Sequence, residues 1–326
     1  MSDPIRLGTR RSALARAQSS HVAAALEKVS GRSVELVTIV SEGDTNRASL
    51  SEIGGQGIFA NHLREALVAG ECDFLVHSLK DLPTAETPGL TIAAIPERVD
   101  PRDVAITRDG TPLHALPTGS KVGTGSPRRI AQVRIRAPHA EIVDLRGNVD
   151  SRMARVTDGE LDAIILAAAG LERLGPDTPL RFEELGLAEW PTAPGQGALA
   201  VETTEDAPEE LLVWLAQIDH APTRAAVTVE RAILAGLEAG CQAPMAAYAE
   251  VDGENVRVRT AVYAPDGDRR IALDVSEQLN EGYIRRNGSG NGADAAGSAD
   301  PMHAARAFGM SVADRLLDKG AADLLS

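Results

Sequence analysis

The chain repeats one local pattern, in which a short apolar strand is followed by an arginine-bearing turn and then by the start of a helix. Alternating strands and helices predict an α/β fold. In open sheets of this kind, ligands bind beside the carboxyl ends of the strands. Four turns share the pattern: Thr9-Arg10-Arg11-Ser12, Gly123-Thr124-Gly125-Ser126-Pro127-Arg128-Arg129, Leu145-Arg146-Gly147-Asn148-Val149 and Ala168-Ala169-Gly170-Leu171-Glu172-Arg173.

The turns place arginines next to predicted helix starts. Ser12 and Asn148 are suitable helix caps, and Ser126 precedes a proline at a first helical position. Helix amides and the forked guanidinium group both bind carboxylates and phosphates. A single arginine in such a turn is more often a solvated surface charge. Four turns at equivalent positions favour a site for an acidic ligand, and the pair Arg128 and Arg129 is the sharpest signal.

The order of segments predicts two β/α lobes and a third, different domain. A hinge candidate lies at residues 96–102, and a second break at 191–197 precedes a strand that returns to the first lobe. Two lobes joined in this way form a cleft that can open and close. After residue 223, three alternating segments and one helix predict an α+β domain with an antiparallel sheet. The predicted domains are residues 1–97 with 197–216, residues 102–191, and residues 220–326.

Two segments are not assigned to helices or strands. Residues 41–57 are polar and glycine-rich, which predicts a mobile loop over a site. Residues 287–300 have low complexity, and we predict that they are disordered.

Composition argues against several classes of partner. The net charge of −14 argues against nucleic acid as the main partner, and only four of the 33 basic residues are lysines. No apolar run approaches the roughly 20 residues that span a bilayer. The polar start lacks a signal-peptide core and two cysteines form no disulfide framework, so we expect a cytoplasmic protein. No cysteine and histidine cluster has zinc-ligand spacing, so we expect no metal.

Lys80 and Asp81 directly follow a predicted buried strand. They fit a surface ion pair of little energetic value. They fit equally well a carboxylate at a ligand site, kept ionised by nearby arginines, which stabilises positive charge on a bound ring or passes a proton. The residues alone leave both interpretations open. His77, in the strand, fits a structural role better than a catalytic one.

Cys241 follows a predicted helix over residues 223–239, with Thr223 as its cap and Gly240 as the left-handed residue that closes it. A cysteine on the first turn after a helix can be a reactive thiolate. A lone cysteine is more often a small core residue, and this stretch by itself favours that interpretation. The arginine-bearing turns elsewhere in the chain favour the functional one.

Together these motifs resemble those of the porphobilinogen deaminase (hydroxymethylbilane synthase) family. The matching segments fall in order along the chain: Thr9-Arg10-Arg11-Ser12, residues 77–83 (HSLKDLP), residues 100–103 (DPRD), residues 123–129 (GTGSPRR), residues 145–149 (LRGNV), residues 162–166 (DAIIL), residues 195–197 (GQG) and residues 240–244 (GCQAP).

The resemblance implies three domains, of which the first two are like the lobes of periplasmic binding proteins. It implies a dipyrromethane cofactor that is joined by a thioether to Cys241. The activity it implies is the stepwise deamination of four porphobilinogen molecules and their polymerisation onto that cofactor, with release of the linear tetrapyrrole hydroxymethylbilane. It also implies a monomer.

By the same resemblance, Asp81 is the catalytic carboxylate and Phe59 borders the site. The remaining implied residues hold the acidic side chains of cofactor and substrate: Arg10, Ser12, Lys80, Thr124, Ser126, Arg128, Arg129, Arg146, Arg152 and Arg173. The chain departs from the family where Gly125 replaces a usual serine and Gln56 replaces a common lysine.

Two alternatives belong to other functional classes. A non-enzymatic two-lobed protein that binds a small anion would have the lobes, the hinge and the arginines, but it leaves Cys241 and the third domain unexplained. A regulatory ligand-sensing module would need a DNA-binding pattern or a basic surface, and the sequence has neither.

Overall fold

The computed structural model describes residues 3–39, 58–175, 178–240, 242–279 and 302–325. The predictions of a loop at 41–57, of a disordered segment at 287–300 and of a reactive turn at Cys241 lie outside these residues. Within the described residues, the strands are β1 (Ile5–Thr9), β2 (Val34–Thr38), β3 (Phe74–Ser78), β4 (Leu90–Ala94), β5 (Asp103–Thr107), β6 (Lys121–Gly123), β7 (Glu141–Val143), β8 (Ala163–Ala167), β9 (Arg181–Leu185), β10 (Leu199–Thr204), β11 (Met245–Asp252), β12 (Asn255–Tyr263) and β13 (Arg270–Gln278).

The described helices alternate with the strands through most of the chain. They are α1 (Ala13–Ser30), α2 (Ile58–Val68), α3 (Pro127–Arg136), α4 (Val149–Thr157), α5 (Ala168–Leu174), α6 (Glu209–Gln217), α7 (Ala221–Gly236), α8 (His303–Asp318) and α9 (Ala322–Leu325).

The described residues divide into two compact units. The first holds the chain up to Arg98 together with Ala198–Ala225, and the second holds Val99–Gly197, Ala226–Leu279 and the chain from Met302. The changes of unit after Arg98 and after Gly197 fall close to the predicted breaks at 96–102 and 191–197, and a further change, after Ala225, falls within α7. The division into three domains stays a prediction.

The first unit contains a five-stranded sheet in the order β2-β1-β3-β10-β4. Strand β1 runs parallel to β2 and β3, whereas β10 runs antiparallel to β3 and β4. Helix α1 places the fully buried Val22 and Leu26 against this sheet, because these residues are four apart on one helix face. The carboxyl ends of β1 and β3 therefore lie side by side at one edge.

The second unit repeats this arrangement in the order β7-β6-β8-β5-β9. Here β6 is parallel to β7 and β8, and β5 is the antiparallel strand, between β8 and β9. Strand β5 is buried along its whole length, as a central strand with both faces covered should be. The two sheets thus share one connectivity, with an inserted strand that directly follows a break between the units.

The C-terminal part of the second unit forms a three-stranded antiparallel sheet, β11-β12-β13. Helices α7 and α8 approach closely at glycines, since a Cβ on Gly309 would lie 2.6 Å from Ala232 Cβ. The predicted fold class is confirmed: two β/α lobes and a smaller α+β region with an antiparallel sheet.

Helix boundaries test the predicted caps. Ser12 Oγ accepts a hydrogen bond from the Ala15 amide at 3.2 Å, and Asn148 Oδ1 accepts one from Ser151 at 2.8 Å, so both caps are confirmed. The cap predicted at Thr223 is wrong. Helix α7 begins two residues earlier, at Ala221, and His220 Nδ1 lies 2.8 Å from Thr223 Oγ1.

The end of α7 also differs from the prediction. The helix stops at Gly236 rather than at residue 239, and Glu238, with φ 51°, is the left-handed residue that follows it. The apolar spacing continues to Leu237, which is why the pattern predicts a longer helix than the backbone forms.

Candidate active site

In the first unit, two turns of interest follow the adjacent parallel strands β1 and β3. The turn after β1 carries Arg10, half-buried, and Ser12, which caps α1. The turn after β3 is one turn of 3₁₀ helix, Leu79–Asp81. The structure therefore brings these two predicted groups to one edge of the sheet.

The 3₁₀ turn is anchored on both sides of its polar residues. Leu79 and Leu82 are buried, and the Leu79 amide donates to the Ala198 carbonyl at 3.1 Å. Between them, Lys80 is half-buried and Asp81 is exposed. Buried leucines on either side hold the backbone, so that Asp81 projects from a fixed position.

His77 belongs to a buried ion-pair network below this turn. Its Nε2 lies 3.1 Å from Glu202 Oε2, and Arg64 donates to both oxygens of the same carboxylate. Burial by itself raises the pKa of Glu202, but the bonds from His77 and Arg64 outweigh it and lower that pKa to about 2. The network packs α2 and β3 against β10, a structural role for His77.

In the second unit, three turns follow the adjacent parallel strands β7, β6 and β8. The turn after β6 carries Thr124, which is buried and accepts a bond from the Ser126 amide at 3.3 Å. Ser126 stands at the cap position of α3, and its side chain makes no capping bond. The three turns lie at one edge of this sheet, as the sequence pattern predicts.

Arg128 and Arg129, in the first turn of α3, point into the protein. Their exposed fractions are 3% and 7%, and both guanidinium groups pair with the completely buried Asp103 at the start of β5. Burial opposes ionisation of Asp103, but the charges of the two arginines outweigh it and hold the pKa of this carboxyl far below its usual range. Two positively charged guanidinium groups are thus paired with a single negatively charged carboxylate.

Two more of the predicted arginines follow β7, Arg146 in the turn and Arg152 in α4. Arg152 donates from Nε to the Gly147 carbonyl at 2.7 Å, and burial together with repulsion from Arg129 and Arg146 lowers its pKa. Arg146 is exposed and pairs with Asp144 at 3.2 Å. Arg152 thus lies within electrostatic range of both Arg129 and Arg146.

Arg173, on α5, has a partly satisfied guanidinium group. Its Nη2 donates to the Gly197 carbonyl at 2.9 Å, while its Nε is buried without a hydrogen-bond partner. Burial lowers the pKa of Arg173, which disfavours the charged form unless an anion compensates it. The Nε atoms of Arg128 and Arg129 are likewise buried without partners.

Asp103, Trp190 and Gln196 are not among the site residues predicted from the sequence. Trp190 Nε1 and Gln196 Nε2 each donate to Asp103 at 2.9 Å. A signal exists in the sequence, because Asp103 opens an otherwise apolar strand, where an acidic residue needs a buried partner. Phe59 lies in the first turn of α2, and its side chain, like all of Cys241, is outside the described residues.

Two further findings concern the described part of the chain. It contains no cluster of histidine, cysteine or acidic residues that could hold a metal, and no helix in it is long and apolar enough to cross a membrane. A cavity of about 570 Å³ in the second unit is lined by Gln132, Trp190 and Tyr263 among others, and no predicted site residue lines it.

Fold and site define an α/β protein in which two sheets of identical connectivity carry arginines at their strand ends. The family profile described as porphobilinogen deaminase, dipyromethane cofactor binding domain, matches residues 5–211. A second profile, porphobilinogen deaminase, C-terminal domain, matches residues 224–318. The chain belongs to the porphobilinogen deaminase family.

Curated relatives match along nearly the whole chain. The porphobilinogen deaminase of Leifsonia xyli subsp. xyli is 50% identical, over 98% of this chain and 94% of that protein. Porphobilinogen deaminase 1 of Streptomyces coelicolor is 48% identical, over 98% and 97%, and the enzyme of Thermobifida fusca is 46% identical, over 99% and 96%.

Solved structures give weaker likenesses. The BvgS VFT2 domain of Bordetella pertussis is 18% identical with a TM-score of 0.40, over 65% of this chain and 84% of that one. The second substrate-binding domain of a putative amino acid ABC transporter from Streptococcus pneumoniae is 13% identical with a TM-score of 0.39, over 66% of this chain and 90% of that one. Likenesses of this size carry no functional argument.

Proposed function

We propose that this member of the family is a hydroxymethylbilane synthase, a transferase that joins four porphobilinogen molecules head to tail and releases hydroxymethylbilane. Each addition eliminates ammonia, and release of the product consumes water. The observation that carries the proposal is the surplus of arginine charge in the second unit, where the buried Arg128 and Arg129 share the single carboxylate of Asp103, and Arg152 and Arg173 are half-buried. Every pyrrole ring of substrate and product bears two carboxylates, which this surplus can bind.

The donor set fits a dipyrromethane cofactor. Three buried Nε atoms, on Arg128, Arg129 and Arg173, lack partners within the described chain, and an unsatisfied buried charge is costly. A carboxylate-bearing group supplies the missing acceptors. When bound, the dipyrromethane supplies the free ring carbon to which the first substrate ring is joined. We assign its attachment to Cys241.

Asp81 is the proposed catalytic carboxylate. It is exposed at the end of an anchored turn, so it can reach a bound ring without moving the backbone. Its negative charge stabilises the positive charge that develops on the substrate ring as ammonia leaves, and its oxygens accept hydrogen bonds from pyrrole N–H groups. Lys80, Arg10 and Ser12, at the same edge of the sheet, bind substrate carboxylates.

The second unit supplies the other proposed binding residues. Arg128, Arg129, Arg146, Arg152 and Arg173 pair with acetate and propionate groups. Thr124 and Ser126 add hydroxyl donors beside the first turn of α3. Phe59 is proposed to border the bound rings.

Location, oligomeric state and domain number are also proposals. We propose a cytoplasmic monomer of three domains, with porphobilinogen as its small-molecule partner. Size-exclusion chromatography with light scattering tests the monomer, and limited proteolysis tests the third domain as a separate fragment beginning near residue 220.

The decisive experiment is an intact mass of the purified protein beside a Cys241→Ser variant. The wild type should be heavier than its sequence mass by two linked pyrrole units, and the variant should have the unmodified mass. An unmodified wild type is then incubated with porphobilinogen and weighed again. If neither mass increase nor ammonia appears, the chain is a non-enzymatic anion-binding protein instead.

A further inference from the structure

We propose that Asp103 is a positioning residue for carboxylate recognition, which fixes the guanidinium groups of Arg128 and Arg129 and leaves the pair one net positive charge for one ligand carboxylate. The inference rests on the proposed function and goes beyond it, because Asp103 has no part in the binding set assigned above.

Asp103 cannot itself bind the ligand, because both of its oxygens are fully used. Oδ1 accepts from Arg129 Nη2 at 2.6 Å and from Gln196 Nε2 at 2.9 Å. Oδ2 accepts from Arg128 Nη1 at 2.8 Å and from Trp190 Nε1 at 2.9 Å. A carboxylate has about four acceptor positions, and all four are occupied. Asp103 therefore acts through the arginines.

The charge of the cluster sets how many carboxylates it takes. Two guanidinium groups and one carboxylate, all buried, sum to one uncompensated positive charge. Each arginine also retains a buried Nε without a partner. A single ligand carboxylate neutralises the cluster, whereas a second would bury an uncompensated negative charge, which is strongly unfavourable.

The partners of Asp103 are themselves held in place. Gln132 accepts from Arg128 Nη1 at 2.7 Å and donates to the Tyr263 hydroxyl at 3.1 Å. The amide of Gly195, next to Gln196, donates to the buried Glu230 at 2.6 Å. Arg129 also donates to the Ile165 carbonyl at 3.1 Å. Because both arginines have a second partner besides Asp103, they lose little freedom when a ligand binds. Arg146, exposed and paired with an exposed aspartate, has no comparable frame.

Asp103→Asn tests the proposal, since asparagine keeps the shape and removes the charge. We expect a folded protein with a smaller fraction of cofactor-loaded chains by intact mass. In the loaded fraction, the KM for porphobilinogen should rise about tenfold, equivalent to one charge-assisted bond, while kcat changes less than about threefold. Asp103→Glu retains the charge. Its KM should therefore lie between that of the wild type and that of Asp103→Asn, even if the glutamate variant is less stable.

Glu202→Gln is the matched control. Glu202 is also a buried carboxylate, in the first unit, and it pairs with Arg64 and His77, neither of which is a proposed binding residue. This variant should lose stability with unchanged loading and KM. The contrast separates a positioning role from the general cost of removing a buried charge.

A folded, loaded Asp103→Asn protein with the KM of the wild type overturns the proposal, as does equal KM for the asparagine and glutamate variants. If Asp103→Asn does not fold, Trp190→Phe removes one bond to Oδ2 without changing charge, and it should raise KM severalfold; an unchanged KM is then the overturning result. A wild type that converts no porphobilinogen defeats the proposed function instead. In that case the affinities of the wild type and the variants for porphobilinogen are measured by calorimetry. Equal affinities would overturn the positioning role proposed for Asp103.

Discussion

At the scale of single residues, burial divides the arginines into two kinds. Arg128 and Arg129 are enclosed and held by one carboxylate, whereas Arg146 is exposed and pairs with Asp144 in solvent. An exposed pair is worth little and adapts easily, while a buried pair is fixed and sensitive to loss of its partner. The turn that carries Arg146 can therefore adjust to a changing ligand, whereas the turn that carries Arg128 and Arg129 cannot.

Gly125 shows how tightly two of these turns approach each other. A Cβ at this position would lie 2.9 Å from the Leu145 carbonyl oxygen and 3.0 Å from Asp144 Oδ1. By the resemblance described above, a serine is expected at this position. In this chain a serine must displace the backbone of the turn that carries Arg146.

Gly125→Ser should therefore lower stability and weaken substrate binding. Overpacking against a backbone carbonyl costs roughly 1–3 kcal/mol, and the displaced turn moves Arg146. Thermal unfolding and the KM for porphobilinogen measure the two effects. Gly186→Ser is the control, because a Cβ there meets nothing within 4 Å. Equal behaviour of the two variants would mean that the approach of the turns is not tight.

At the scale of elements, the sequence pattern predicts the bounds of a strand or helix where these depend only on the element's own residues. The starts of α1 and α4 agree with the caps expected at Ser12 and Asn148. The start of α7 does not, because His220 approaches Thr223 and the chain enters the helix two residues earlier. Such a bond depends on local geometry that no apolar pattern encodes.

The same limit applies to the site. Arginine at four strand ends could be predicted, since each turn follows a recognisable strand. The inward orientation of Arg128 and Arg129 could not be predicted. Their partner Asp103 lies 25 and 26 residues away along the chain. Tertiary packing determines which distant residue a charged side chain pairs with. The sequence therefore identifies the arginines of the site but not which of them are buried.

Glu202 ties three elements together, and its ionisation should be visible in stability against pH. The folded pKa of about 2 lies below the ordinary value of 4.5. The contribution is therefore complete above pH 4.5 and is lost as the pH falls through 2. Glu202→Gln should lower the free energy of unfolding by up to about 3 kcal/mol at neutral pH.

That difference between wild type and variant should shrink steadily from pH 4.5 towards pH 2. Urea unfolding at several pH values measures it. Glu205→Gln, at an exposed position just beyond β10, is the control and should be neutral throughout. A difference that stays constant with pH would show that the carboxylate is not stabilised by its charge.

At the scale of the whole molecule, the two sheets share one strand order although their sequences differ. Each has an antiparallel strand inserted after a break between the units, β10 in the first and β5 in the second. This repetition explains why arginine-bearing turns recur: equal connectivity places equivalent strand ends at an equivalent edge. The lobes could be predicted from alternation. The inclusion of β11, β12 and β13 in the second compact unit could not, because it depends on contacts such as that between Gln132 and Tyr263.

At the scale of the whole chain, a count of free thiols shows whether the proposed thioether is present, since the chain has two cysteines, Cys72 and Cys241. Cys72 is 2% exposed, and burial raises the pKa of its thiol to about 11. In the folded protein at pH 8 it should react with a disulfide reagent only as fast as the chain opens, because reaction needs an exposed thiolate.

After unfolding, a chain whose Cys241 is consumed by the proposed thioether should show one reactive thiol, that of Cys72. Protein that lacks the cofactor should show two thiols, and the Cys241→Ser variant one. Unlike a disulfide, a thioether survives reductant, so prior reduction should leave the count of the loaded protein at one. Two thiols in unfolded protein of the heavier mass would place the cofactor on another residue, and the assignment of Cys241 would fail while the activity stood.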